Sequence, residues 1–450
     1  MKVATSVGGL EEKSVFSHRS YLVLAIPLMI STLTQPLLGI VDTAVIGRMP
    51  NPSYIGGVAV GALIFNMMYW LLGFLRVSTT GFTAQARGAT NENEMTMSLL
   101  RPMVIAILFG FLFIILQYPL VKTALFLIGP SDAVTQHVAT YVSIRIWSAP
   151  FALLCYVIIG WFMGMSMIKH SLAVQLSMNI LNILLSIMFV LGFGFGVAGV
   201  AAATLISEVS AVLLGIWLII RSKQITFKKE TVSALRESTP LLRMLKMNRD
   251  LFFRTVCLLT MTGLFTAKGA AMGEVALAAN AIILQIHYFM SYLFGGLANA
   301  SSIITGQAIG SKNKQLFHRA FFLSAQWGGV AAVVLALTIL VYGADIVSFF
   351  TTISEVEMFA GNYIGWMIIF SFVGFWGLQL EGIFAGATEA RSVRDSIAMA
   401  LVVFLFIIYI FVPVYGNHGI WMAFVLFSLS RSIFLSLFIP RLSRNFFSLP

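Results

Sequence analysis

"TAQARG" (Thr83–Gly88) returns as "TGQAIG" (Thr305–Gly310), 222 residues later. "GWFMG" (Gly160–Gly164) returns as "GIFAG" (Gly382–Gly386) at the same offset, and Gly199-Val200-Ala201 as Gly419-Ile420-Trp421 at an offset of 220. One such match is weak. Three in the same order mark a chain built from two copies of one unit. Each match falls at the same point of its half: after the second apolar run, late in the fourth, and early in the sixth. Six runs per unit preserve chain direction, so the copies are parallel and related by an axis along the membrane normal. Repeats of this kind belong to secondary transporters, with sites within or between the halves.

The runs themselves are long. A membrane helix needs about 20 mainly apolar residues, and twelve segments qualify: 21–47, 54–80, 99–121, 139–164, 168–192, 196–220, 251–272, 276–302, 319–342, 359–386, 396–415 and 417–440. Charged residues are 10% of the chain, against about 25% in a soluble domain. The fold class is therefore all-α integral membrane, with twelve transmembrane helices in two six-helix bundles. The long polar stretch 221–250 divides them. The expected organisation is an N-terminal lobe over 1–225, a cytoplasmic linker over 226–248 and a C-terminal lobe over 249–450.

The net charge of +11 does not point to nucleic acid. With the N-terminus placed inside, 21 of the 28 Lys and Arg fall on the cytoplasmic side and three, Arg48, Lys122 and Lys268, on the other. The remaining four, Arg76, Arg145, Arg254 and Arg431, lie within spans. This is the positive-inside bias, and an even span count puts both termini in the cytoplasm. Lys2, Glu11, Glu12 and Lys13 precede an apolar run longer than that of a cleavable signal, so none is expected. Cys155 and Cys257 sit in apolar runs and read as small core residues.

Three carboxylates stand well inside spans: Asp42, Glu208 and Glu381. A charge at the centre of a membrane helix costs roughly 2.5–3.5 kcal/mol on insertion scales, which makes each a functional candidate. Asp42 has the best company. Ser31, Gln35 and Asp42 are spaced along one helical face, and Pro27 and Pro36 permit that helix to kink. The fifth span carries a second stripe, Gln175, Asn179, Asn182 and Ser186, and the sixth adds Thr204 and Glu208. Amides and hydroxyls can hydrogen-bond a carboxyl in either protonation state, and apolar surroundings favour the neutral form. The competing reading of these polar residues is interhelical adhesion. Glu208, placed near the cytoplasmic end of its span, reads as a structural partner for an arginine. Glu381 has Ile159 as its counterpart in the first half and so lies outside the repeated scaffold. It is either a second ion or substrate carboxylate or the partner of Arg254 or Arg391.

Met29, Phe65, Met68, Tyr69, Trp161, Met178 and Met290, with Ser31, are candidate walls of a soft cavity. Methionine suits promiscuous surfaces and aromatic faces attract cations. No HExxH, GxxxxGK[ST], CxxC or GxSxG string occurs, so an enzyme is not expected, nor a metal or cofactor. The six histidines are scattered. Without a nucleotide site, an ion gradient must drive transport.

"PLLGIVDTAVIGRM", "FLRVSTTGFTAQARG", "NILNILLS", "KMNRD" and "LEGIFAGAT" together resemble the multidrug and toxic compound extrusion (MATE) transporters, and within them the DinF subfamily. The resemblance extends from about Tyr21 to Arg441. It implies two six-helix bundles around a central cleft, and export of hydrophobic, often cationic compounds by proton or sodium antiport, with protons in this subfamily. Carried over by position, it makes Asp42 the proton-binding residue that helps release substrate, Pro27 the point at which the first helix bends, and Asn182 and Thr204 polar partners of the aspartate. One departure stands out: relatives often carry an aspartate where "NILLS" has Ser186. Sodium-site carboxylates of other subfamilies find no match in the seventh span. The expectation is a monomeric proton-coupled exporter in the inner (cytoplasmic) membrane, whose partners are lipid, protons and small hydrophobic or cationic substrates. Its rivals are a sodium-coupled antiporter of the same fold, a lipid-linked sugar flippase, an intramembrane enzyme and a channel. Only four arginines in spans disfavour a pyrophosphate cargo.

Overall fold

The computed structural model describes residues 16–46, 52–225 and 238–447, with the side chains at 35–44, 46, 52, 127 and 238 outside the described set. Among the described residues there is no strand. Helices α1 (His18–Ile46), α2 (Pro52–Leu72), α3 (Phe74–Gly88), α4 (Glu92–Ile115), α5 (Gln117–Ile128), α6 (Asp132–Arg145), α7 (Ala149–Gly164), α8 (Ile168–Ile187) and α9 (Gly196–Ser222) form the first half. The second half holds α10 (Ser238–Ala270), α11 (Glu274–Gly310), α12 (Lys314–Phe350), α13 (Ser354–Gly361), α14 (Gly365–Gly386), α15 (Ala390–Tyr415), α16 (Asn417–Leu437) and α17 (Ile439–Phe447). Eleven helical segments among the described residues are long and apolar enough to cross a membrane. Helix α1, 29 residues long, makes the twelfth.

Several boundaries differ from those expected. The segment 132–164 is one membrane-length unit, although its first turns are polar. Helix α11 runs on to Gly310 and α12 to Phe350. The third span ends at Ile115 and a separate helix, α5, follows; the tenth begins at Gly365, after the short α13. Hydropathy marks where a helix is greasy. It does not mark where a helix continues because its polar turns pack on protein.

The repeat is a repeat of packing. A Cβ on Gly160 would lie 2.6 Å from the carbonyl oxygen of Arg76, and one on Gly382 would lie 2.2 Å from that of Ala298. One turn on, Gly164 faces the Thr80 carbonyl at 2.7 Å and Gly386 faces the Ser302 carbonyl at 2.1 Å. All four pairs keep the offset of 222. Small residues let membrane helices approach backbone to backbone, so α7 lies on α3 just as α14 lies on α11. Helix ends repeat too. Asn91 and Asn313, again 222 apart, cap α4 and α12 by accepting from the Glu94 and Leu316 amides at 3.0 and 2.8 Å. The turns before these helices hold Thr90 and Lys312 at φ of 51° and 55°.

The halves meet at the linker end. A Cβ on Gly88 would fall 2.2 Å from the Gln307 carbonyl oxygen, and one on Gly310 2.0 Å from that of Gln85. Gln85 Nε2 donates to the Gly386 carbonyl at 2.9 Å, and Gln307 Nε2 to Ser166 Oγ at 2.8 Å. These are reciprocal contacts about one axis. A second seam joins α1 to α11: Tyr21 Oη lies 2.8 Å from Ser301 Oγ, and Thr32 Oγ1 donates to the Tyr292 carbonyl at 2.8 Å. Among the described residues, inter-lobe hydrogen bonds extend no further from the linker end than that Thr32 contact.

Candidate functional site

The first half brings α1, α8 and α9 together. On α8 the stripe read from the sequence faces inward: Gln175, Asn182 and Ser186 are 4%, 1% and 0% exposed, while Ile180 and Leu184 between them are 56% and 59% exposed. Asn179 is half-buried. Ser31 Oγ on α1 donates to Gln175 Oε1, so the two stripes meet. Asn182 Nδ2 donates to Thr204 Oγ1 of α9 at 3.0 Å. Thr204 Oγ1 in turn donates to the Val200 carbonyl at 3.1 Å. Asn182 Oδ1 is buried with no hydrogen-bond partner among the described residues. A buried orphan acceptor is costly, and such a group marks a place where a donor is wanted.

Helix α1 continues unbroken past Pro27 and Pro36 and carries the backbone of Asp42. The side chains of Gln35, Pro36 and Asp42 lie outside the described residues. Pro27 is half-buried within the helix.

The expected cavity walls divide. Met29 packs where α1 crosses α11, with its Cα 2.4 Å from where a Gly296 Cβ would be. Met178 is half-buried. Phe65, Trp161 and Met290 are 0%, 0% and 1% exposed and belong to the packed cores. Trp161 donates its indole N–H to the Met95 carbonyl at 2.9 Å, the partner a buried tryptophan needs. In this structure these three are packing residues, not groups on an open wall. Phe65 and Tyr69 back an ion pair instead, and Met68 on the same helix is buried in the same core. Arg145 sits 5.0 Å over the Phe65 ring, donates to Tyr141 Oη and faces Glu208 at 3.9 Å. Glu208 stands near the middle of α9, not near its cytoplasmic end.

In the second half Glu381 is bound by both Arg254 and Arg431. Arg391, the other candidate partner, pairs instead with Asp395 at 3.8 Å on its own helix. Arg431 escaped the sequence reading, because no local spacing links it to Glu381. Arg76 on α3 lies between the lobes, within electrostatic reach of Tyr156 on α7 and Tyr292 on α11. Among the described residues no group of three His, Cys, Asp or Glu side chains is placed to hold a metal.

Two repeated six-span bundles that meet about one axis, with a buried polar stripe inside one of them, define a membrane carrier. The chain belongs to the MatE family, which it matches over residues 27–188 and 251–414. It is 34% identical over 422 residues to the DNA damage-inducible protein F of Escherichia coli (strain K12), covering 94% of this chain and 92% of that one. It is 25% identical to the chloroplastic Protein DETOXIFICATION 44 of Arabidopsis thaliana, over 91% of this chain and 80% of that protein. A solved structure described as the outward-facing conformation of a multidrug resistance MATE family transporter superposes with a TM-score of 0.83 at 20% identity, covering 95% of this chain and 97% of that one. The protein is a multi-pass membrane transporter of the multidrug efflux family and not an enzyme.

Proposed function

We propose that the protein is a proton-coupled antiporter that exports hydrophobic, often cationic compounds, with Asp42 as its proton carrier. One observation carries this reading: the Ser31–Gln175 contact sets the register of two parallel helices. Spans one and five run in the same direction. Asp42 is eleven residues beyond Ser31, and Ser186 eleven beyond Gln175. Eleven residues are close to three full turns, so each keeps the face of its starting residue. Followed along both helices, this register brings position 42 level with position 186, one turn from Asn182, which supports reading Asp42 and Asn182 as one site. A protonated carboxyl could donate to Asn182 Oδ1, which has no donor among the described residues, whereas an ionised one repels it. Proton loss thus changes the fit between α1 and α8, and α1 is seamed to the other lobe through Tyr21 and Thr32. Protonation would in this way bias the packing of the lobes, and Gln35, Pro27 and Pro36 are the groups that would adjust.

Sodium coupling is the weaker reading. The carboxylate in the second lobe, Glu381, is held by two arginines, which oppose a bound cation there. The inter-lobe contacts at the linker end describe a state closed on that side. The Lys and Arg asymmetry makes that side cytoplasmic, in the inner membrane. Single cysteines at 223 and 314 are expected to react with impermeant maleimide only after the vesicle is opened. Labelling from outside would reverse the topology.

Ser186 supplies a test of the site itself. It is fully buried on the stripe and has no titration in the working range. Ser186→Asp would set a second carboxyl beside the first, and like charges make each hold its proton more tightly. The pH optimum of efflux from liposomes should move upward by about one unit, the order that a close like charge imposes. An unchanged or lowered optimum would separate Ser186 from the proton site.

A further inference from the structure

The ionised groups buried in the two lobes do not balance alike. In the first lobe Arg145 meets Glu208, one positive charge against one negative. In the second, a single carboxylate meets two guanidiniums: Arg254 from α10 and Arg431 from α16 both bind Glu381 of α14. The three side chains are 23%, 11% and 13% exposed. Arginine does not shed its proton to escape burial. The cluster therefore keeps a fixed excess positive charge inside the spans. Nearby carboxylates are engaged elsewhere: Asp250 is bound by Arg394 at 2.8 Å and by Arg249 at 2.9 Å. Arg431 Nε is buried without a hydrogen-bond partner among the described residues.

The walls beside this excess charge are apolar. His287, on α11, lies within electrostatic reach of Arg431. Its ring is edged by Phe370 and Phe424 at centroid distances of 4.4 and 4.7 Å. Its Nε2 is 3.3 Å from Ser291 Oγ, and its Nδ1 is buried and unpartnered among the described residues. A neutral imidazole with one free ring nitrogen can donate one further hydrogen bond. Unpaired cations in low dielectric draw an anion, and planar guanidiniums match carboxylate and sulfonate oxygens.

We propose that the Arg254–Glu381–Arg431 cluster is an anion site that takes one singly charged anion, either a halide from solution or the acidic group of an amphipathic compound. Only the second source rests on the efflux reading above. The site has a charge signature that a structural salt bridge lacks. Arg431→Gln leaves Arg254 and Glu381 as a neutral pair and removes the attraction. Glu381→Gln leaves two guanidiniums and strengthens it.

The experiment uses the purified full-length protein in neutral detergent. It titrates sodium bromide, and separately 8-anilinonaphthalene-1-sulfonate, with gluconate as the bulky control anion, into wild type, Arg431→Gln, Arg254→Gln and Glu381→Gln. Binding weakened at least tenfold by each arginine substitution, and tightened by Glu381→Gln, is the expected result. Bromide that competes with the sulfonate, or binds alone, identifies the inorganic source; sulfonate binding untouched by bromide identifies the amphiphile. No saturable binding of either probe, or equal losses in the arginine and glutamate variants, overturns the proposal. Should Arg431→Gln not elute as a single species, Arg254→Gln and Glu381→Gln carry the same opposed prediction. Ethidium efflux is measured in parallel. If it persists while anion binding is absent, the anion site is refuted and the efflux reading is not.

Discussion

Asp42→Asn is expected to give a folded, membrane-inserted protein that exports nothing. The amide has the shape of the protonated acid and can still donate an N–H, but it has no proton to release. Folding should not suffer, because a charge that costs roughly 2.5–3.5 kcal/mol in a helix centre is gone. The expected phenotype is drug susceptibility equal to that of cells without the protein, at matched membrane abundance. Resistance like that of the wild type would remove Asp42 from the mechanism.

Gly310→Ala should produce the second large loss, through conformation and not through the proton. The new Cβ would fall 2.0 Å from the Gln85 carbonyl oxygen across the lobe seam, and the mirror change at Gly88 would fall 2.2 Å from that of Gln307. Backbone cannot yield as a flexible side chain does. Overpacking of this kind costs about 1–3 kcal/mol, which corresponds to roughly a 5- to 150-fold shift between two states. The state closed at the linker end loses population and export falls with it, while the interior of each lobe is untouched. A cysteine at Gln85 in a Gly310→Ala background should react faster with a thiol probe than the same cysteine alone. Equal rates would mean that this seam does not open and close during transport.

The two lobes could be read from the chain because the offset of 222 is carried by glycines, and a glycine at a backbone-to-backbone crossing tolerates no substitute. The inward stripe on α8 was legible for a related reason: polar residues at helical spacing within apolar spans have few places to go. What hid was whatever depends on the neighbour. The spans are apolar on every side, so hydropathy gave no sign that Trp161 is fully buried in a core while Met178 is half-buried at its edge. Residues 132–138 and 303–310 lie beyond the expected spans, yet they are helical and continue those spans. The sequence offered Arg254 and Arg391 to Glu381; Arg254 is a partner, and the packing of α16 against α14 brings Arg431 in place of Arg391. Glu208 stands twelve residues into both the 196–220 run and α9 itself, so its central position could be counted from the sequence and needed no packing to see. The resemblance named Asp42 and its polar partners, and the packing adds that the stripes of α1 and α8 meet at Ser31 and Gln175.

Proton-coupled exchange through Asp42 is tested most directly in liposomes that contain only this protein and a trapped pH-sensitive dye. Ethidium is added to one side with no sodium present. Wild-type protein should move protons and ethidium in opposite directions in a fixed ratio, an imposed pH step should drive ethidium against its gradient, and Asp42→Asn should abolish both fluxes. Ethidium accumulation driven by a sodium step and not by a pH step, or proton exchange that survives Asp42→Asn, would contradict the account.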